Sequence, residues 1–142
     1  LVTAVCASLL AQLIKVLLNL FIFHRFIAER MWGAGGMPSS HSATVCAMVV
    51  ATGRYCGVNS PLFAIAAVLS IIVMYDAMGV RYETGEQAKV LNRMFTEWMD
   101  QGFEQFQLPH GKKLKEMVGH TPIEVVTGAA LGIVLGFAMP MV

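Results

Sequence analysis

The sequence predicts an all-α protein: an integral membrane bundle of about four transmembrane helices, with an amphipathic helix between the third and fourth. Three observations carry this expectation. The 142-residue chain is 56% hydrophobic and only 13% charged, against about 25% charged in an average soluble domain. Its apolar residues fall in four long runs, each close to the length that crosses a bilayer. Its charges collect in the connections between the runs, above all in one stretch after the third. The length suits a single domain over residues 1–142. A net charge of +1 says nothing about partners; nothing in the sequence suggests nucleic acid, and none is expected as a partner.

The first run, about 2–24, is interrupted by Ser8, Gln12, Lys15 and Asn19. Their spacing of 4, 3 and 4 puts them on one helical face. The run has no cleavage-site pattern and reads as a mature spanning helix rather than a signal peptide. A lysine at membrane depth faces a protein interior or a wet cavity. Lys15 therefore points into a site, snorkels to the surface, or pairs with Asp76. His24, Arg25, Glu29 and Arg30 mark an exit into water. The second helix, about 39–56, opens with Gly35-Gly36-Met37-Pro38-Ser39-Ser40-His41-Ser42-Ala43. Two glycines allow close backbone approach, Pro38 suits a first helical turn, and Ser39 or Ser40 suits an N-cap. Free N–H groups at such a start attract an anion. This stretch is either an anion site with His41 built in or a plain linker.

Gly57-Val58-Asn59-Ser60-Pro61 is a tight turn into a third helix, about 61–79. Residues 82–119 alternate charges with Val90, Leu91, Met94, Trp98 and Phe103 at helical spacing, the pattern of a surface-lying amphipathic helix or a partner surface. Leu108-Pro109-His110-Gly111 breaks it, with a short second helix expected at about 112–118. The last run, about 121–140, starts at Pro122 and carries Gly128, Gly132 and Gly136 four apart. Such a face lets another helix approach closely; it is a packing seam within the chain or a homo-oligomer seam. Cys6, Cys46 and Cys56 have no metal or disulfide spacing and read as small apolar fillers.

Four spanning helices put alternate connections on opposite sides. Gly36–His41, Asp76–Arg81 and His120–Glu124 then share one side, and Lys15 lies below them on its stripe. Arg25, Arg30, Arg81, Lys89, Arg93, Lys112, Lys113 and Lys115 lie on that side and only Arg54 near the other. The positive-inside rule makes the site side cytoplasmic.

The converging residues suit phosphate chemistry. Lys15 and Arg81 neutralise non-bridging oxygens, Arg81 by a bidentate fork. The Gly36, Ser39 and Ser40 amides, with the serine hydroxyls, hold equatorial oxygens. One histidine attacks phosphorus while the other protonates the leaving oxygen. A nucleophilic histidine needs a fixed tautomer, and Glu124 lies one helical turn from His120. His41 has no acid at that spacing, so it reads as the acid/base partner. Alternatively, Glu124 is merely an N-terminal cap.

Met37-Pro38-Ser39-Ser40-His41-Ser42 resembles the second motif of the type 2 phosphatidic acid phosphatase and vanadium-dependent haloperoxidase superfamily. With Asp76-Ala77-Met78-Gly79-Val80-Arg81, Gly85-Glu86-Gln87-Ala88-Lys89-Val90-Leu91-Asn92 and Gly119-His120-Thr121-Pro122-Ile123-Glu124-Val125, it resembles the divergent small-membrane-protein branch. The resemblance covers most of the chain. It implies phosphomonoester hydrolysis through a phosphohistidine, without metal or other cofactor. By that likeness Lys15 matches the first motif's lysine, with Arg25 the candidate for the arginine that follows it. Ser40 and His41 match the second motif, His41 as general acid. Arg81, His120 and Glu124 match the third motif's arginine, nucleophile and orienting acid. Here nearly forty residues separate Arg81 from His120, where the common pattern has only a few, and glutamate replaces aspartate. Asp76 has no counterpart role; it pairs with Lys15 or Arg81 and tunes the pocket's charge.

The leading expectation is a multi-pass membrane phosphatase acting on a lipid-borne phosphomonoester of the phosphatidic acid, phosphatidylglycerophosphate or isoprenoid phosphate type. The alternatives are a non-catalytic membrane protein that binds anionic lipid or phosphate, and a structural membrane subunit.

Overall fold

The computed structural model describes residues 1–23, 36–101, 113–116 and 118–140. The expectations for His24, Arg25, Glu29, Arg30, Gly35, Phe103, His110 and Lys112 lie outside them. The fold is all-α: α1 (Val2–Phe23), α2 (Ser40–Cys56), α3 (Pro61–Met78), α4 (Val80–Asp100) and α5 (Pro122–Ala138). Among the described residues, two stretches are long and apolar enough to cross a membrane: α1, and α3 with its continuation into α4. The first matches the run seen in sequence. The second is α3, joined to α4 through a break at Gly79 alone. α5 is a shorter apolar helix.

α2 is the central element. It packs against α1, α3 and α5, and α1 also meets α5. The core is built from small residues: Ala7 and Ala11 of α1 meet Ala43 and Ala47 of α2, with Leu131 and Leu135 of α5 packed against them. In lipid, close van der Waals contact replaces the hydrophobic effect as the force that joins helices, and small side chains permit it. The glycine face of α5 is the extreme case. A Cβ on Gly128 would stand 2.3 Å from the Ser39 carbonyl oxygen, and one on Gly132 2.2 Å from that of Ala43. One on Gly136 would stand 2.6 Å from the Val50 side chain. The seam is therefore internal, between α5 and α2. As to the two alternatives for this face, all three glycines are buried within the chain.

Polar groups close the helix ends. Ser39 caps α2 and Ser60 caps α3, each accepting from an N–H in the first turn. Pro38 lies before the cap, not inside the first turn as its type suggested. Gly57 takes a φ of 81°, which suits glycine at this turn. Arg54 donates through Nη1 to the carbonyls of Gly136, Phe137 and Met139, at 2.6, 3.1 and 2.9 Å. A cation at a helix C-terminus complements its orphan carbonyls and dipole. The Ser70 hydroxyl donates to Ala66 O and reaches Val45 O, joining α3 to α2.

The segment after α4 departs from expectation. Residues 113–116 are not helical. Asn92, buried on α4, accepts from Leu114 N at 2.9 Å and donates to Leu114 O at 2.9 Å and to Glu116 Oε1 at 2.8 Å. A helix would satisfy the Leu114 backbone internally; here one side-chain amide takes both its N–H and C=O. Gly85 makes room, since a Cβ there would lie 2.6 Å from Glu116 O. The segment thus runs along α4 and delivers Gly119 and His120 back to the bundle.

Candidate active site

The site forms where α1, α2, α3 and the start of α5 meet. His120 precedes α5 and is only 2% exposed. Its backbone N–H donates to Ala77 O at 2.9 Å, one of the carbonyls at the end of α3. Gly119 takes a φ of 84° and packs so tightly on α4 that a Cβ would lie 2.4 Å from Tyr82 N and 2.6 Å from Arg81 C. The backbone of Arg81 is thereby adjacent to the residue before His120. The long sequence gap between arginine and histidine closes in space.

The His120 ring is held by its own helix. Nδ1 lies 3.1 Å from Glu124 Oε2. That same oxygen accepts from Thr121 N at 3.1 Å, and the Gly36 backbone amide also reaches this carboxylate. Capping and orienting are therefore one arrangement: the acid that caps α5 also holds the histidine. With Nδ1 facing a carboxylate, the favoured tautomer carries its proton there and leaves Nε2 as the lone-pair nitrogen. Nε2 is buried without a hydrogen-bond partner among the described residues. Buried polar atoms are rarely left so, and a ligand atom would complete it.

His41, in the first turn of α2, stands with its ring centroid 6.1 Å from that of His120, edge to face at 63°. It is exposed on the bundle surface, unlike its partner. Lys15 is 2% exposed, its aliphatic stem packed beneath Gly36. It lies within electrostatic reach of both Glu124 and His41, as Arg81 and Asp76 do of His41. The polar stripe of α1 thus faces inward, and Lys15 does not pair with Asp76. Asp76 takes Arg81 instead, through a short Nε–Oδ2 contact on the surface.

Two of the residues read in sequence as phosphate holders, Ser39 and Gly36, make contacts with the protein itself. The Ser39 N–H donates to Glu124 O at 2.9 Å, and its hydroxyl oxygen accepts from Ser42 N and Ser42 Oγ at 3.4 and 3.1 Å. Ser39 is fully buried and ties α2 to α5. The Gly36 amide is turned to the Glu124 carboxylate. Ser40 remains beside the site, and its hydroxyl accepts from Gln12 Nε2 at 3.4 Å. Gln12 belongs to the polar stripe of α1, and its contact with Ser40 brings it to the site. Its spacing of three from Lys15 was the available signal. Gly119, Gly85 and Asn92 position His120 from a distance, and no local pattern marks them.

These features define a class: a helical membrane protein with a paired-histidine, carboxylate-oriented site beside a buried cation. The chain belongs to the Divergent PAP2 family, whose model matches residues 1–135. It is 38% identical over 141 residues to an uncharacterized membrane protein, YuiD, of Bacillus subtilis (strain 168), covering 95% of this chain and 89% of that one. No solved structure matches it.

Proposed function

We propose that the protein is a membrane phosphatase that hydrolyses a lipid-borne phosphomonoester through a phosphohistidine. The observation that carries this reading is the buried, unpartnered Nε2 of His120, with Nδ1 held by Glu124 and His41 alongside. His120 Nε2 attacks phosphorus, forming the N–P bond as the ester P–O bond breaks. His41 gives its proton to the leaving alkoxide. Glu124 stabilises the positive charge that develops on the His120 ring. His41, now neutral, takes a proton from water as that water attacks the phosphohistidine, releasing phosphate and restoring His120. Lys15 offsets charge on the phosphoryl oxygens, Arg81 does so on leaving Asp76, and Ser40 donates its hydroxyl. The basic residues near this end favour a cytoplasmic site in a multi-pass topology.

A second reading, a non-catalytic binder of anionic lipid or phosphate, is favoured by one observation, the buried cation Lys15 beside the histidines. It is weakened by the pairing of Arg81 with Asp76 and by the commitment of the Gly36 and Ser39 amides to Glu124. Release of phosphate from a panel of lipid phosphates by the purified chain separates the two. Hydrolysis lost in His120→Ala and His41→Ala is expected, with radioactive phosphate retained on His120 in the wild type. Equal release by wild type and both variants sinks the catalytic reading.

A further inference from the structure

Asp76 and Arg81 carry the wrong charges for the helix ends they occupy. Asp76 lies in the last turn of α3, and Arg81 is the second residue of α4. The carbonyls that close a helix favour a cation, and the N–H groups that open one favour an anion. Glu83, also in the first turn of α4, obeys that rule; the pair does not. Helix stability therefore does not account for these two residues. They satisfy one another across the break at Gly79, through the Nε–Oδ2 contact, with the Asp76 side chain 37% and the Arg81 side chain 53% exposed. Neither makes another hydrogen bond or ion pair among the described residues. Both lie within electrostatic reach of His41, as do Lys15 and His120. An exposed ion pair is weak, because water competes for both charges. A phosphate offers the guanidinium the same two-oxygen acceptor with up to twice the charge. Asp76 and a phosphate at the histidines are thus rival anions for one cation.

We propose that Asp76 drives the release of product phosphate by taking Arg81 back from it. The inference rests on the phosphatase reading, since only a site that makes inorganic phosphate must discard it. Once the ester is cut, the product has no hydrocarbon, and its hold on the site comes from charge and hydrogen bonds alone. Lys15 is fixed: it is 2% exposed, with its stem packed beneath Gly36. Arg81 is the cation whose partner can change, because its side chain is half in water. While Arg81 serves the phosphoryl oxygens, the freed carboxylate of Asp76 stays five residues away across Gly79 and repels the bound anion. Return of Arg81 to Asp76 then strips one of two cations from the phosphate. Without such a rival the site would hold its product longer, and product release limits turnover in many enzymes. Asp76 acts here through Arg81 and needs no contact with substrate.

The test is equilibrium binding of inorganic phosphate to the full chain in detergent, with inhibition of lipid phosphate hydrolysis by phosphate as a second readout. Asp76→Asn keeps the shape of the side chain and removes its charge. It is expected to tighten phosphate about two- to fivefold, the range set by an exposed pair, and to make phosphate a stronger inhibitor by the same factor. Arg81→Ala is expected to weaken phosphate binding. In the Arg81→Ala background, Asp76→Asn is expected to lose most of its effect, because the rival has no cation left to take. Unchanged or weaker binding in Asp76→Asn overturns the inference. The same tightening with and without Arg81 also overturns it, since that is a general effect of charge. Absence of phosphate binding by the wild type overturns it as well. The two readings fail separately. Tighter phosphate through Arg81, with no lipid phosphate hydrolysed by the wild type, removes the phosphatase and keeps the rivalry of Asp76 for Arg81. Hydrolysis that is lost in the histidine variants, with phosphate affinity indifferent to Asp76, removes the inference and keeps the phosphatase.

Discussion

At His120 the carboxylate of Glu124 performs two tasks with one oxygen, capping α5 through Thr121 N and holding Nδ1 of the ring. The two tasks separate on substitution. Gln at position 124 keeps a carbonyl oxygen that can accept from Thr121 N but loses the charge that supports a developing imidazolium. Glu124→Gln is therefore expected to fold with near-normal stability while kcat on a lipid phosphate falls by about 10²–10⁴-fold, with KM little changed. Steady-state kinetics beside a thermal melt in detergent checks both halves. Much of this site was legible in the sequence. The spacing of His120 and Glu124, the polar stripe carrying Lys15, and the serine–histidine start of α2 each name a residue type at a fixed helical offset. The commitment of Ser39 and Gly36 to packing and orientation was not legible. Their partners, the carbonyl oxygen and the carboxylate of Glu124, lie more than eighty residues away, and no local spacing encodes a contact across that distance.

At the scale of the element, the seam between α2 and α5 determines where the site's two halves meet. Gly128 lies on the Ser39 backbone and Gly132 on Ala43, so the approach of the backbones sets how near His120 comes to His41. Val at Gly132 would force two methyl groups and a Cβ into the space of the Ala43 carbonyl. Gly132→Val is expected to cost roughly 1–3 kcal/mol of stability or more and to lower activity by moving α5 away from α2. Thermal unfolding and phosphate release by the same detergent-solubilised sample test this. The glycine spacing made the seam predictable as a close contact, but not its partner, since periodicity reports a face and not what covers it. The stretch after α4 shows the reverse. Its lysines and leucine suit a helix, yet Asn92 and Gly85 supply a better-satisfied alternative from a neighbouring element.

For the whole molecule, the fold separates a polar end, with the histidines, Lys15 and Arg81, from an apolar end near Cys56 and Arg54. Cys56 is exposed and free. In sealed vesicles, a membrane-impermeant thiol reagent is expected to reach Cys56 and a cysteine introduced by Lys113→Cys from opposite sides. Labelling of both from one side would overturn the shared-side arrangement on which the site's topology rests. Four runs of apolar residues were enough to foresee the helical bundle. The near-continuity of α3 and α4 was not foreseen, because Gly79 reads as a stop and acts only as a break. That break leaves the closing carbonyls of α3 open to outside partners, and the His120 N–H takes the one on Ala77. A helix that tilts to match a thicker or thinner bilayer carries its last turn with it. His120 is tied to the end of α3 by its own N–H, to α4 through Gly119 and to α5 through Glu124, so a shift of any one of these helices is passed to the ring.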